Sequence, residues 1–291
     1  MEKFKDKYSP RVISKVLGIS LSRVYFLIKQ KPKIRRTRRK MKEYDHILKL
    51  IRELITQFPH YGYRKMFSIL RFRYEIQITR RRVYEIMKEN KLLMPASTRN
   101  KTLFRGVPFS YKLEAVVSNA LWGIDMTYIW CGSDGWCYLH GVIDHHDKNL
   151  LGYTFSRSCK AIGAVMALAE ATSKRQINNL ELRSDNGCHY GSRLFRDEIR
   201  RMGIKHTRTM VNTPKGNAVI ERFFKSLKQE CVWQYQFKDF EEAKEAVDKW
   251  MHHYNYERPH QTLGYLTPIE FYNQGSTIQE GATIESLQKT A

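Results

Sequence analysis

The chain of 291 residues is 42% hydrophobic and 12% aromatic, which provides enough apolar surface for about two folded domains and excludes wholesale disorder. Its 51 Lys and Arg outnumber its 29 Asp and Glu, for a formal charge of +22, and this excess favours a polyanionic partner. The longest uncharged apolar run, 161–169, is about half of the ~18 residues that a membrane span needs.

Two further features of the sequence concern location. The first residues, MEKFKDKY, lack the apolar core of a signal peptide. The five cysteines contain no CxxC pair, which argues against a disulfide framework and against a Cys-rich zinc module. We therefore expect a cytoplasmic protein with reduced thiols and no membrane partner.

The positive charge is concentrated at the front of the chain. Residues 1–100 contain 27 Lys and Arg against 8 Asp and Glu, whereas residues 101–291 contain 24 against 21. This asymmetry predicts a nucleic-acid-binding front end joined to a nearly neutral body. The alternative is a basic face that serves solubility.

The first predicted elements are two short helices in residues 1–30. Ser9 and Pro10 favour a helix start, Gly18 a helix end, and Ser20 the cap of a second helix. Two helices around a glycine turn indicate a helix-turn-helix-like module, although an ordinary helical hairpin fits this short stretch equally well.

A basic linker follows at 31–42. The run 29–42 contains nine Lys or Arg in 14 residues and has almost nothing to bury, so it predicts a segment that follows DNA phosphates or lies in a minor groove. The alternative is a flexible solvated tether. The candidate DNA-contacting residues here are Arg35, Arg36, Arg38, Arg39 and Lys40.

Residues 43–95 are predicted to form a helical DNA-binding domain. Apolar residues recur at helical spacing over 44–57, the YGYR run that ends at Arg64 follows a break, and Thr79 is placed to cap a third helix. Arg80, Arg81 and Arg82 occupy the first turn of that helix, where a recognition helix presents basic side chains to the major groove. The alternative is a solvated helix end. A linker is expected at 96–118.

The body begins with three predicted strands. Residues 121–130 alternate at period two and place Asp125 between the small neighbours Gly123 and Thr127. Two further strand-like runs, 136–144 and 150–158, complete a predicted antiparallel meander.

A helix at 160–173 and a strand at 180–182 are predicted next, and Asp185 follows that strand. It precedes Asn186-Gly187, a dipeptide suited to a tight turn with positive φ. The end of a strand in an α/β layer is a common position for a ligating carboxylate, but an aspartate that only caps the next helix fits the same pattern.

Glu221 lies within a predicted amphipathic helix in residues 215–231. Its apolar residues, beginning at Ile220, recur at helical spacing, and Glu221 lies at the edge of this stripe. Lys225 and Lys228 follow one and two turns later on the same side, where they can hold phosphates. The ordinary alternative is an i,i+4 surface pair between Glu221 and Lys225.

These residues together resemble a known family. Asp125 on a first strand, Asp185 in SDNG and Glu221 on a helix are similar to the DDE catalytic core of retroviral integrases and bacterial insertion-sequence transposases. The runs YGYR (61–64), NAVIERFFKSLKQE (217–230) and YNYERPHQTLGYLTPIEFY (254–272) resemble the transposase group that is made from two overlapping reading frames. The resemblance extends from about residue 10 to 272.

The resemblance implies an α/β, ribonuclease-H-like fold in which helices flank a mixed five-stranded sheet, preceded by small helical DNA-binding modules. It implies that Asp125, Asp185 and Glu221 are catalytic and hold two Mg²⁺ ions roughly 4 Å apart, with Mn²⁺ as a substitute. The expected activity is cleavage at the ends of an insertion sequence, followed by joining of the 3′-hydroxyl to another phosphodiester. Lys228, with Lys225, is expected to contact DNA phosphate.

The resemblance also implies partners and boundaries. Double-stranded DNA, other copies of this chain and the product of an upstream reading frame are the expected partners, near the bacterial nucleoid. The predicted boundaries are 1–30, 31–42, 43–95, 96–118, a catalytic core at 119–255 and a C-terminal tail at 256–291. A catalytically idle DNA-binding regulator and a structure-selective nuclease of the same fold remain the alternatives.

Several polar residues near the expected site are assigned other roles. His145, His146 and His189 are interpreted as turn residues or as neighbours of the ligands, and Asp144 and Asp147 as turn residues. The sequence contains no HxxxH followed by CxxC, so the zinc-binding module of retroviral enzymes is not expected.

Overall fold

The computed structural model describes residues 8–28, 38–94, 115–209 and 217–275, with the backbone alone at 26–28 and 38–43. The chain divides into two compact units, Met1–Gln57 and Phe58–Ala291. None of the helices in the described ranges is long and apolar enough to cross a membrane.

The described residues contain helices before residue 120, and both strands and helices after it. The helices are α1 (Pro10–Leu17), α2 (Leu21–Ile28), α3 (Arg38–Gln57), α4 (Tyr63–Ser68), α5 (Arg80–Glu89), α6 (Ala161–Lys174), α7 (Cys188–Gly191), α8 (Arg193–Arg201), α9 (Ala218–Glu230) and α10 (Phe240–Tyr256). The strands are β1 (Leu121–Trp130), β2 (Trp136–Asp144), β3 (Leu150–Ser156), β4 (Glu181–Ser184) and β5 (Lys205–Arg208).

The first unit contains the two short helices expected around a glycine. Gly18 adopts φ 62° at the end of α1, the left-handed conformation that glycine adopts without strain. Ser20 caps α2 as predicted, because its hydroxyl accepts a hydrogen bond from the amide of Arg23 at 3.3 Å. Ser9 occupies the N-cap position of α1 and Pro10 its first turn, as expected, although the Ser9 side chain makes no capping hydrogen bond.

The helices that follow residue 58 match the predicted pattern closely. Thr79 caps α5 by accepting a hydrogen bond from the amide of Arg82 at 3.3 Å. The apolar residues Val83, Ile86 and Met87 of this helix are buried, as the spacing predicted. Between α4 and α5 the chain continues through a π-helical turn, Ile69–Arg73.

The sheet is mixed and has the strand order β3-β2-β1-β4-β5. The antiparallel pairs β1–β2 and β2–β3 form the predicted meander. The pairs β1–β4 and β4–β5 are parallel. This confirms the expected ribonuclease-H-like class, in which helices flank a mixed five-stranded sheet.

The strand β1 has one fully paired edge and one mostly unpaired edge. On the β2 side, every residue from Trp122 to Trp130 is in register with a partner. On the β4 side, pairing within the described ranges is confined to Leu121–Gly123. The second half of β1 therefore extends beyond its parallel neighbour.

Two apolar cores lie on opposite faces of the sheet. One packs Ile129 and Leu139 of the sheet against α9 and α10, through residues that include Phe223 and Trp250. The other packs Trp122 and Ile124 against α6, α7 and α8. The alternation of β1 between these cores explains its period-two pattern and gives the sheet a helical layer on each face.

Asp144 and Asp147, both fully buried, organise the turn between β2 and β3. Asp144 accepts hydrogen bonds from the amide of Asn119 at 2.6 Å and from the indole of Trp122 at 3.2 Å. Asp147 forms an ion pair with the buried Arg175 at 3.2 Å. The interpretation of both aspartates as turn residues agrees with these contacts.

Candidate active site

The strand β1 presents Asp125 beyond the point where its pairing with β4 ends. The Asp125 Oδ1 atom accepts a hydrogen bond from the amide of Met126 at 2.8 Å. The pKa of Asp125 is raised to about 7, mainly by burial and also by the carboxylates of Asp185 and Glu221, against the opposing effects of the Met126 amide and the Lys228 ammonium. Asp125 is therefore a half-buried carboxyl group on which two other carboxylates act electrostatically.

Asp185 follows the last residue of β4. Because β4 runs parallel to β1 and beside it, the carboxyl end of β4 brings Asp185 towards Asp125. Its Oδ1 atom accepts a hydrogen bond from the amide of Gly187 at 2.8 Å. This bond closes the turn while Gly187 keeps φ −56°, so the prediction of a positive-φ turn is wrong: the side chain of Asp185 supplies the turn hydrogen bond.

Glu221 lies in the first turn of α9, on its exposed face. Partial burial raises the pKa of its carboxyl group. The helix is held in place by four buried residues of the predicted apolar stripe, Ile220, Phe223, Phe224 and Leu227. Glu221 follows Ile220 of this stripe in the sequence, and its own side chain is exposed.

The three acidic side chains lie near enough to interact, but they do not form a closed ligand set. Within the part of the chain that the structure describes, no group of three or more His, Cys, Asp or Glu side chains is arranged to hold a metal ion. A carboxyl group with its pKa near 7 beside two other carboxylates is nonetheless a place where a cation is electrostatically favourable. The all-oxygen donor set suits a hard divalent ion such as Mg²⁺.

Asn217 links the strand that carries Asp125 to the helix that carries Glu221, and this role was not predicted from the sequence. It is 4% exposed and precedes α9, where its carbonyl accepts a hydrogen bond from the amide of Glu221 at 3.2 Å. Its Nδ2 atom donates to the carbonyl oxygen of Ile124 at 3.1 Å. Asn217 therefore ties the start of the Glu221 helix to the strand residue next to Asp125.

The close approach at Asn217 requires a glycine on β1. A Cβ atom at Gly123 would lie 2.6 Å from Nε2 of His145 and 2.7 Å from Oδ1 of Asn217. His145 is 7% exposed, and burial is the main reason why its pKa falls to about 4. Gly123, His145 and Asn217 thus pack together beside Asp125, with the imidazole neutral near pH 7.

Tyr190 is a second neighbour that the sequence did not indicate. Its ring is 1% exposed, and its hydroxyl has no hydrogen-bond partner among the described residues. Burial, with the nearby carboxylates of Asp125 and Asp185, raises the pKa of this hydroxyl well above its usual value. The run SDNGCHY contains the residue, but its burial depends on packing against the β1 side of the sheet.

The two predicted lysines of α9 differ in their surroundings. Lys228 is half-buried, with its ammonium nitrogen 5.0 Å from the centre of the Tyr128 ring. Burial lowers the pKa of Lys228, and the Asp125 carboxylate opposes that change. Lys225 is exposed. Lys228 is therefore the lysine of this pair that acts electrostatically on the acidic cluster.

The other predicted DNA-contacting residues lie away from this cluster or outside the described residues. The side chains of Arg35, Arg36, Arg38, Arg39 and Lys40 belong to the second group. Arg64, Arg80 and Arg81 are exposed, and Arg81 forms an ion pair with Glu85 at 3.1 Å, as does Arg82 at 3.4 Å. Binding of DNA by these residues stays a prediction.

The remaining histidines have identifiable packing roles. His146 contacts the backbone carbonyl of Ala115 at 3.0 Å, and His189 contacts the Cys159 thiol at 3.0 Å. These contacts agree with their interpretation as turn residues or neighbours of the acidic cluster.

The three acidic residues lie in regions of the chain that match known protein families. The family described as "Integrase core domain" matches residues 116–214, and a second family of that description matches residues 202–268. Residues 116–268 of the chain are thus similar to integrase core domains. A family described as "HTH-like domain" matches residues 42–101, so the integrase core is preceded by a helical module of the class expected for that region.

Curated relatives place this integrase core among insertion-element proteins. The chain is 25% identical over 277 residues to "Transposase InsD for insertion element IS2A/D/F/H/I/K" from Escherichia coli, covering 90% of both chains. It is 25% identical over 279 residues to the "Insertion element IS2A uncharacterized 48.2 kDa protein" from Escherichia coli. That alignment covers 91% of this chain and 65% of the relative. The resemblance to insertion-sequence transposases with an integrase-like core is confirmed.

A solved structure with the same core fold comes from a retroviral assembly. It is the simian T-cell lymphotropic virus intasome in complex with PP2A regulatory subunit B56 gamma. The match has a TM-score of 0.50 and 17% identity, and it covers 76% of this chain and 73% of the other. At this identity the likeness is one of fold.

Proposed function

We propose that this chain is a DNA transposase that cleaves the ends of an insertion sequence and joins the freed 3′-hydroxyl to another phosphodiester. The observation that carries the proposal is the effect of the Asp185 and Glu221 carboxylates on Asp125, which contributes to an Asp125 pKa of about 7 in a region that matches integrase core domains. Phosphoryl transfer with an external nucleophile needs positioned charge and no protein nucleophile. A cluster of carboxylates next to lysines provides that charge.

Two Mg²⁺ ions are the proposed cofactor, with Mn²⁺ as a substitute, and Asp125, Asp185 and Glu221 would hold them. When bound, such ions activate the attacking oxygen and stabilise the leaving oxygen. The carboxyl group of Asp125 must be ionised to act as a ligand, and cation binding favours this form.

Other residues of this chain prepare the site. Asn217 fixes the first turn of α9 against β1, and with it the position of Glu221 relative to Asp125. Lys225 and Lys228 would neutralise phosphates next to the scissile bond. The buried Tyr190 and His145 would limit the access of water to the site from the protein interior.

The proposed DNA partner extends beyond the core. Residues 1–30 and 43–95 would bind the ends of the element through Arg64 and Arg80–Arg82, with the basic linker 31–42 on phosphates. The core at 119–255 would act as part of a homo-oligomer, with the tail at 256–291. The product of an upstream reading frame and a cytoplasmic, nucleoid-associated location remain predictions.

One assay tests the proposed reaction. Purified protein is incubated with a labelled duplex that carries the end of its element, with Mg²⁺ and with EDTA. We expect nicked and joined products with Mg²⁺ alone, and we expect Asp125→Asn, Asp185→Asn and Glu221→Gln to lower the rate by a factor of at least about 10³, because each removes a ligand charge.

Asp197→Asn is the matched control, because this exposed aspartate of α8 forms ion pairs with Arg193 and Arg200 on its own helix. It should react like wild type. Binding without any cutting by wild type would favour the idle regulator, and cutting of branched DNA without joining would favour the structure-selective nuclease.

A further inference from the structure

An exposed aromatic cleft lies beside the proposed active site. It is formed by Tyr128 and Trp130 of β1, Trp136 of β2, Trp233 and Tyr235 after α9, and Lys228. Each of the five aromatic side chains is more than half exposed, from 52% for Trp136 to 64% for Trp233. The cleft has a volume of about 720 Å³, within the ~300–1,000 Å³ range of ligand pockets.

Three of the five rings pack against one another although they face water. Trp136 packs edge-to-face on Tyr128 and on Trp130, with ring centres 5.1 Å and 5.3 Å apart. Such pairs stabilise each other while their outer faces stay free for a further ring. Apolar faces of this size on an exposed surface typically mark a binding site.

The cleft follows the strand that carries Asp125. Tyr128 is three residues from Asp125 on β1, ~10 Å along the strand, and the two side chains leave the strand on opposite sides. This distance corresponds to about three stacked nucleotides at ~3.4 Å each. Lys228 links the cleft to the acidic cluster, because its ammonium lies 5.0 Å from the centre of the Tyr128 ring and acts electrostatically on the Asp125 carboxylate.

The chemistry of the cleft matches unpaired DNA. Aromatic faces stack with any nucleobase, and a lysine among them neutralises the phosphate between two bases. Bases in a duplex cannot reach these rings, because their faces are already stacked. We propose that the cleft binds unpaired bases of the DNA strand a few nucleotides from the reacting phosphate, without strong sequence preference. This inference rests on the proposed function in taking DNA as the substrate.

The test measures binding in EDTA, so that it does not depend on catalysis. The probes are a forked duplex with 2-aminopurine in its unpaired arm and a fully paired duplex of the same sequence. We expect wild type to bind the fork more tightly and to change the 2-aminopurine fluorescence by stacking. Trp233→Ala and Trp130→Ala should each weaken fork binding on the order of tenfold and leave duplex binding unchanged.

Two variants serve as controls. Trp233→Phe keeps an aromatic face and should retain most of the preference for the fork. Tyr256→Ala removes a ring that is 50% exposed on α10, outside the cleft, and should bind both probes like wild type. Circular dichroism of each variant checks that the fold is intact.

Three results would overturn the inference. One is equal loss of fork and duplex binding in Trp233→Ala and Trp130→Ala, and another is retention of fork preference by both variants. The third is a change in the oligomeric state of the free protein without a change in fork preference, which would make the cleft a protein interface. Each of these results can be obtained with a protein that still carries out the Mg²⁺-dependent reaction. Stacking of 2-aminopurine in the cleft can also be observed with a protein that does not carry out that reaction. The two proposals are therefore tested separately.

Discussion

Gly123 occupies a position in the site where no other residue fits. Any Cβ atom there would lie 2.6 Å from His145 and 2.7 Å from Asn217, far inside normal contact distance. Because Asn217 holds the start of α9, a displacement of Asn217 would also move Glu221. The absence of a side chain at residue 123 therefore permits the arrangement of residues 125 and 221.

We predict that Gly123→Ala impairs stability and activity together. Overpacking of a buried site costs about 1–3 kcal/mol, and the shift of Asn217 should lower the rate of strand transfer at least tenfold. Urea denaturation and the joining assay measure the two effects. Gly275→Ala is the control, since nothing lies within 4 Å of a Cβ atom at this exposed helical position. Full activity of Gly123→Ala would contradict the positioning role of Asn217.

His140 provides a residue-scale test of pH dependence. It is fully buried, neither ring nitrogen has a hydrogen-bond partner among the described residues, and burial lowers its pKa from 6.5 to about 4. The folded state therefore holds a neutral imidazole that the unfolded state protonates first. Its contribution to stability is fully present above pH 6.5 and is lost as the pH falls towards 4.

We predict that the free energy of unfolding falls by up to about 3 kcal/mol between pH 6.5 and pH 4 because of His140. His140→Leu, which keeps an apolar side chain in this position, should flatten that part of the curve. Urea denaturation at a series of pH values measures the slope. An identical slope in wild type and His140→Leu would show that another group titrates in this range.

At the scale of elements, α9 is fixed at both ends by polar contacts. Its first turn is held by Asn217, and its last residue, Glu230, accepts hydrogen bonds from Arg258 at 2.7 Å and from Lys65 of α4 at 2.8 Å. Burial alone would raise the pKa of Glu230, but the cations of Arg258 and Lys65 lower it to about 2. The helix that carries Glu221 is thereby joined to α4, which lies in the region matched by the HTH-like family.

We predict that Glu230→Gln destabilises the protein by about 3 kcal/mol, because it leaves the buried Arg258 without a compensating charge. The control is Glu245→Gln, which removes an exposed i,i+4 pair with Lys249 on α10 and should have no measurable effect. Thermal and urea denaturation at pH 7 compare the variants. Equal stability of the two variants would contradict the role assigned to the Lys65–Glu230–Arg258 cluster.

The buried faces of β1 and α9 could be predicted from the sequence, but the contacts between distant elements could not. The alternation of β1 and the apolar stripe of α9 depend on local periodicity, so they predicted which faces are buried and where Asp125 and Glu221 lie. The hydrogen bond from Asn217 to Ile124 and the ion pair between Lys65 and Glu230 join residues that are distant in the sequence. Local patterns contain no information about such pairs, which depend on how the elements pack.

The turn at Asp185 shows a different limit. The Asn186-Gly187 dipeptide favours positive φ, but Gly187 has φ −56° because the carboxylate of Asp185 accepts its amide hydrogen. Turn propensities describe the backbone alone, whereas here a side chain makes the closing hydrogen bond. The carboxylate of Asp185 is also a proposed metal ligand, so one side chain both closes the turn and belongs to the proposed active site.

At the scale of the whole molecule, charge and chemistry are separated along the chain. Residues 1–100 have 27 Lys and Arg against 8 Asp and Glu, whereas all three proposed catalytic carboxylates follow residue 120. Binding of DNA phosphates is therefore assigned mainly to the front of the chain. We therefore expect substitutions in the basic first third to lower the affinity for DNA, and substitutions of the three carboxylates to lower the rate of the proposed reaction.

We predict that replacing the four arginines of 35–39 by Gln weakens binding to any DNA duplex. The logarithm of the binding constant falls linearly with the logarithm of the salt concentration, and the magnitude of this slope should decrease by about 0.9 for each phosphate that the variant no longer neutralises. Fluorescence anisotropy at several salt concentrations measures this slope. An unchanged slope would remove the segment from the DNA interface. A control of equal charge replaces four body cations that form ion pairs with acidic residues on their own helices: Lys174, Arg201, Lys244 and Lys249.

The strand order has a consequence for synthesis of the protein. The meander β1–β2–β3 consists of consecutive residues, but β4 adds to the other edge of β1 and α9 follows later in the chain. At ~5–20 residues per second, Asp125 is made roughly 5–20 s before Glu221. During that interval a nascent chain already carries its basic first third, but it does not yet have the full set of carboxylates. It can therefore meet DNA before the proposed catalytic residues are all present.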